Sequence, residues 1–155
     1  MAQKIVIGSD HAGFPMKGFL IGKLQEAGYE VEDMGTHSEA SCNAAPIARA
    51  VAEAVANAEA KDEVRGILIC GTGIAMSMMA NKVKGAYAAL VHDLFTARMT
   101  RQHNDSNVLC MGQRIIANQM AWEIAQVWLG TEALGGKYAE RRDWIRGYEE
   151  AHFKM

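Results

Sequence analysis

The residues best suited to moving a proton or holding an anion fall in short, widely separated stretches of this chain. The richest is ILICGTGIAMSMMANK, where an apolar run ends in Cys70 and turns through Gly71, Thr72 and Gly73 into a helical pattern. A glycine-rich loop feeding a helix N-terminus presents unpaired amide hydrogens and the positive end of the dipole. It therefore favours an anion, such as a phosphate or a developing enediolate. An ordinary tight turn satisfies the same pattern, and the segment matches neither the Walker sequence nor the GxGxxG dinucleotide fingerprint. A thiol beside such a loop can serve as base or nucleophile, although a lone Cys is more often a small buried hydrophobe. Cys110, in NVLCM, fits the second description, and Cys42, in a polar loop, carries no functional argument.

Asp10 and His11, in GSDHAGF, place a carboxylate and an imidazole after an apolar run, with Lys17 about a helical turn further on. They read either as a clamp for a phosphate or hydroxyl, or as a helix cap beside a surface histidine. TRQHNDSN gathers Arg101, His103 and Asn104, a concentration of hydrogen-bonding types that a helix end rich in turn residues would also explain. Near the C-terminus Lys137, Arg141 and Arg142 follow helical spacing, which puts Lys137 and Arg141 on one face. Paired cations suit a phosphate, and a solvated surface balanced by Glu140, Asp143 and Glu149 is the other reading. His37, His92 and His152 have no metal-ligand spacing and there is no HExxH, while Met76, Met78 and Met79 read as core filler.

These residues need a scaffold, and the apolar periodicity supplies one. Strands are predicted at Lys4 to Ser9, Tyr29 to Met34, Gly66 to Cys70, Ala86 to Val91 and Asn107 to Met111. Helices are predicted at Met16 to Ala27, Ile47 to Ala58, Ile74 to Val83, Leu94 to Gln102 and Asn118 to Leu129, with a last one over about 138–152. Short strands alternating with helices imply right-handed βαβ crossovers. The expected fold is thus a Rossmann-like three-layer α/β/α sandwich on a five-stranded parallel sheet. Ligands of such sheets bind beyond the carboxyl ends of the strands, at Asp10-His11, Cys70 to Gly73, His92-Asp93 and Gly112 to Arg114.

The bulk numbers narrow the class. The 155 residues fit one domain spanning the chain, 1–155, with 50% hydrophobic and 22% charged residues. A net charge of -2 without a basic tract argues against nucleic acid. No apolar run nears the roughly 20 residues that span a bilayer. The start MAQKIVIGSD reads directly as a strand, without a secretory leader, and the three scattered cysteines read as thiols in a reducing compartment. The expectation is a cytoplasmic protein without a membrane partner.

Taken together, GSDHAGF, ICGTGIAMSMMANK, TRQHNDSNVLCMGQR and GGKYAERR resemble the type B ribose-5-phosphate isomerase family, which includes the lactose-pathway galactose-6-phosphate isomerases. The similarity runs from Lys4 to about Arg146, and four motifs in order are far more specific than any one of them. The resemblance implies an aldose-ketose isomerase with neither metal nor cofactor, whose sites form between the subunits of a homodimer or homotetramer. The C-terminal helix would then pack on a partner subunit. Cys70 matches the family's catalytic thiol, which shuttles a proton between carbons 1 and 2, and Gly71, Thr72 and Gly73 would stabilise the enediolate. His103 matches the imidazole credited with ring opening, Asp10 and Asn104 would hold sugar hydroxyls, and His11, Arg114, Lys137 and Arg141 match the phosphate-binding set. Ribose 5-phosphate and ribulose 5-phosphate are the default pair, on the pentose phosphate pathway of carbohydrate metabolism.

Three departures bear on the substrate. Asn43-Ala44 stands where relatives carry Asp-Tyr, removing a carboxylate and an aromatic wall. Lys137 stands where Arg is usual, and Ala75 replaces a customary Gly. A tetrose phosphate or hexose 6-phosphate isomerase is the alternative within the class, and a noncatalytic phosphate-binding α/β domain is the alternative outside it.

Overall fold

The computed structural model describes residues 3–154. In chain order the elements are β1 (Lys4–Ser9), α1 (Phe14–Glu26), β2 (Glu30–Asp33), α2 (Ala44–Ala56), β3 (Val64–Cys70) and α3 (Ile74–Ala80), followed by β4 (Ala88–Leu90), α4 (Leu94–Asn104), β5 (Val108–Gly112), α5 (Asn118–Leu129) and α6 (Lys137–His152). All strand pairings are parallel, in the order β2-β1-β3-β5-β4. The expected sheet is therefore present, and its order says where a ligand should sit. The chain passes from β1 out to β2 and returns to place β3 on the other side of β1. The β1 and β3 ends thus flank a point where the winding reverses, which opens a crevice above the carboxyl edge.

Alternating side chains on the central strands feed two cores. Ile5, Ile7, Ile67, Ile69, Leu109 and Met111 pack with Leu20 and Leu24 of α1, Ala97 of α4, and Ile124 and Trp128 of α5. On the opposite face Val6, Leu68, Cys70, Val108 and Cys110 pack with Val51 and Ala52 of α2 and Met76 and Ala80 of α3. Burial on both faces explains why these strands read as continuous apolar runs. Of the methionines expected in the core, only Met76 is fully buried, while Met78 is 65% exposed. The helix α6 buries none of its residues. No helix among the described residues is long and apolar enough to cross a membrane.

The boundaries differ from the sequence reading where caps decide them. A short 3-10 turn at His11–Gly13, capped by the Asp10 side chain, runs straight into α1, so that helix begins at Phe14 rather than Met16. The Asn43 side chain starts α2 at Ala44, three residues before the apolar periodicity, because Pro46 is tolerated in a first turn.

Candidate active site

Cys70 is the last residue of β3, only 5% exposed, and its register partner on β5 is Gly112. Gly73 takes the left-handed conformation (φ 78), which swings its amide back so that its N–H donates to Cys70 Sγ at 3.0 Å. No other residue fits there, since a Cβ would lie 2.6 Å from Leu90 Cδ1 and 2.9 Å from the Met111 carbonyl oxygen. The sulfur thus sits at the mouth of a loop that already directs one amide hydrogen at it. Thr72 is exposed and its Oγ1 accepts from the Ile74 N–H at 3.3 Å.

The end of β5 clamps this loop. The Gln113 N–H donates to the Cys70 carbonyl (2.9 Å) and the Arg114 N–H to the Gly71 carbonyl (3.0 Å). The Arg114 guanidinium lies over Gly71, where a Cβ would meet its Nη1 at 3.3 Å. A Cβ on Gly112 would fall 2.6 Å from Thr72 Cα, so only glycine lets the two segments touch. Arg114 therefore belongs with Cys70, at the carboxyl edge.

Asp10 and His11 share that edge. The Asp10 carboxylate accepts from the Ala12 N–H (2.9 Å) and the Gly13 N–H (3.2 Å), so it caps the turn while sitting at the crevice. His11 Nδ1 accepts from the Cys42 N–H at 3.2 Å, which leaves Nε2 to carry the proton of the neutral ring and to serve as a donor. That bond also draws the loop bearing Asn43-Ala44 against His11. Lys17 does not join the clamp that the sequence suggested. It is 1% exposed and donates to Asp33 Oδ1 at 2.6 Å and to the Thr36 carbonyl, fastening the same loop from beneath.

His103 and Asn104 lie elsewhere. α4 runs back against the strand direction for 11 residues, from its Asp93 cap at the carboxyl edge to Asn104 shortly before β5 begins. At 1.5 Å per residue this displaces His103 from the edge by roughly 15 Å. The His103 ring stacks on Tyr138 of α6, with centroids 4.3 Å apart and planes at 5°. Lys137 Nζ and the Arg141 guanidinium carbon lie 5.3 Å and 5.8 Å from the same Tyr138 ring. His103, Asn104, Tyr138 and Arg141 line one pocket. Within one subunit the structure thus brings together Asp10, His11, Cys70, Thr72 and Arg114, and separately His103, Asn104, Lys137 and Arg141. β3 and β5 are adjacent, so the separation runs along the strands rather than across several of them.

Side-chain charge anchors α6 at this far edge. Asp105, left-handed at φ 51 and 5% exposed, receives Arg101 (2.8 Å), Lys61 (3.0 Å) and Arg146 (3.2 Å). Burial pushes its carboxyl up, but hydrogen bonds and charge from Lys61 and Arg101 outweigh this and hold it below the ordinary value. Arg142 donates to the His103 carbonyl at 3.3 Å. The Tyr87 hydroxyl donates to Glu149 at 2.8 Å, and burial followed by that carboxylate pushes the phenol up to about 12.

Sequence reasoning missed Tyr138 and Asp105. Tyr138 adjoins the Lys137 that drew attention, but its stacking on a ring 35 positions earlier has no local signal. Asp105 read as a turn residue, which it is, and two of its three cations, Lys61 and Arg146, come from distant elements. Among the described residues, no three His, Cys, Asp or Glu side chains group as a metal site requires.

The ribose/galactose isomerase family model matches residues 5–145. The Escherichia coli ribose-5-phosphate isomerase B is 40% identical over 148 residues, covering 96% of this chain and 97% of its own. A D-erythrulose-4-phosphate isomerase of Mycolicibacterium smegmatis is 41% identical over 135 residues, covering 85% of this chain and 87% of its own. The solved structure of Clostridium thermocellum ribose-5-phosphate isomerase B superposes with a TM-score of 0.92 at 43% identity, over 97% of this chain and 99% of that one. The motif resemblance, the sheet order and these likenesses agree, and the chain belongs to the ribose/galactose isomerase family.

Proposed function

We propose that this protein is an aldose-ketose isomerase of a sugar phosphate, with ribose 5-phosphate and ribulose 5-phosphate as its pair, working as a homodimer or a larger homo-oligomer in the cytoplasm. The observation that carries this reading is the Cys70 thiol at the β1–β3 reversal with the Gly73 amide directed at its sulfur. In the open-chain aldose, Cys70 as thiolate removes the proton on carbon 2 and the electrons move toward the carbonyl oxygen, giving an enediolate. Amides of Gly71 to Gly73 and the Thr72 hydroxyl stabilise that charge. Cys70 returns the proton to carbon 1 and a hydroxyl proton passes from O2 to O1, so atoms balance without an external oxidant or reductant.

His11 and Arg114 supply cationic or donor groups at the same edge. Lys137 and Arg141, with His103 for ring opening and Asn104 for a sugar hydroxyl, reach that edge from a second copy of the chain. Two features support this sharing. His103 stands about 15 Å from the carboxyl edge of its own sheet, and α6 buries nothing while exposing Trp144 (78%), Ile145 (57%) and Tyr148 (57%). A twofold pairing covers such a face and makes two equal sites.

A second reading, a tetrose 4-phosphate isomerase, draws on the loop held against His11. Asn43 spends its side-chain oxygen on the Ala45 N–H (3.0 Å) and Ala44 offers only a methyl, so this wall has little with which to grip a longer or cyclic sugar. A coupled assay across ribose 5-phosphate, tetrose 4-phosphates and hexose 6-phosphates separates the readings. The pentose reading expects the highest kcat/KM on ribose 5-phosphate, and no turnover on any of them would leave a noncatalytic phosphate-binding domain.

A further inference from the structure

His92 follows β4 at the carboxyl edge, and the proposed isomerisation gives it no work. Its Nε2 accepts from the Gly112 N–H at 2.9 Å. Gly112 is the pivot of the clamp on the Cys70 loop, packed against the Thr72 backbone, and it leads into the two amides that donate to the Cys70 and Gly71 carbonyls. Val91, just before His92, donates its N–H to the Cys110 carbonyl at 3.0 Å, so the imidazole is delivered from a fixed backbone. From these contacts we infer that His92 is a positioning residue for isomerisation, setting the Cys70 loop and Arg114 through the Gly112 amide. The inference rests on the proposed role of Cys70.

Acceptance at Nε2 requires that this nitrogen be unprotonated. Burial works in that direction, holding the imidazole below its ordinary value against the opposing charge of Asp93. Of the other elements packed on β4, α3 has no titratable side chain and β5 has only the buried Cys110. On acidification a proton on Nε2 would face the Gly112 N–H, and the clamp would lose its outer support.

Three variants test this at full length. In His92→Phe the ring shape stays and the acceptor goes, so kcat/KM should fall on the order of tenfold, since small misplacements at a reacting centre are costly. Amide hydrogen exchange over residues 112–114 should accelerate in the same variant. In His92→Gln a carbonyl oxygen replaces Nε2 as acceptor, so kcat/KM near neutral pH should recover to within about threefold of the parent while the acid limb moves to lower pH. A folded His92→Phe protein with parental kcat/KM and parental exchange overturns the inference. Should His92→Phe not fold, a His92→Gln pH profile superimposable on the parent's overturns it as well. Cys70→Ala separates the two claims. Full activity there removes the role of Cys70, whereas the exchange measurement still reads the His92 contact alone.

Discussion

The two ends of the sheet are built differently. At the carboxyl edge Cys70, Gly71 and Thr72 are held by backbone: strand register, one left-handed glycine, and amide donors from β5. At the far edge His103, Lys137 and Arg141 are held by side chains, through a ring stack on Tyr138 and an ion cluster on Asp105, along a helix that buries nothing. The difference suits the tasks proposed for the two regions. A base must sit within a fraction of an ångström of the reacting carbon, whereas a phosphate tolerates long, charged side chains that can close on it across a subunit boundary.

The largest expected effect breaks the first region. Cys70→Ala should lower kcat by about 10²- to 10⁴-fold while leaving ligand affinity within a few-fold, because a proton carrier is lost and the phosphate contacts remain. Steady-state kinetics with isothermal titration of substrate would show it, and unchanged turnover would remove Cys70 as the base.

The far edge should respond in stability. Asp105→Ala leaves the buried Arg101 without its carboxylate, though still bonded to the Ser106 and Thr131 carbonyls, and should cost about 3 kcal/mol in urea unfolding. The pH dependence has a definite sign. Because the folded carboxyl lies below its ordinary value of 3.8, its contribution is complete above that pH and is lost as pH falls through the folded value. The parent should therefore lose stability below about pH 4 more steeply than Asp105→Asn, and parallel curves would show that the cluster contributes nothing.

Smaller effects sharpen the contrast. Lys137→Arg restores a planar fork and should change KM by no more than about fivefold, a test of whether the first turn of α6 reaches phosphate at all. Activity should survive EDTA. Loss that added divalent cation reverses would mean a metal completes the site.

Much of this was legible in the sequence, for reasons that also mark the limits. The strands and the position of Cys70 could be read because a doubly buried strand leaves a continuous apolar run and ligands gather where such runs end. The role of Gly112 could not, since a close backbone approach between β5 and the Cys70 loop depends on strand order, and β5 intervenes between β3 and β4. Lys17 resembled a phosphate clamp by spacing alone, yet it is buried and its partner is Asp33, 16 residues on. The stretch TRQHNDSNVLCMGQR holds both His103 and Arg114, yet β5 runs between them and sets them at opposite ends of the strand.

The central claim is that each site draws its thiol from one subunit and its imidazole from the other. The most direct measurement mixes Cys70→Ala with His103→Ala protein under conditions that exchange subunits, with exchange verified by native mass spectrometry and turnover read from ribose 5-phosphate. Each variant alone should be nearly inactive. Random exchange of equal amounts should return about a quarter of parental activity, because half the dimers are mixed and each carries one intact site. No recovery after verified exchange would contradict the shared site.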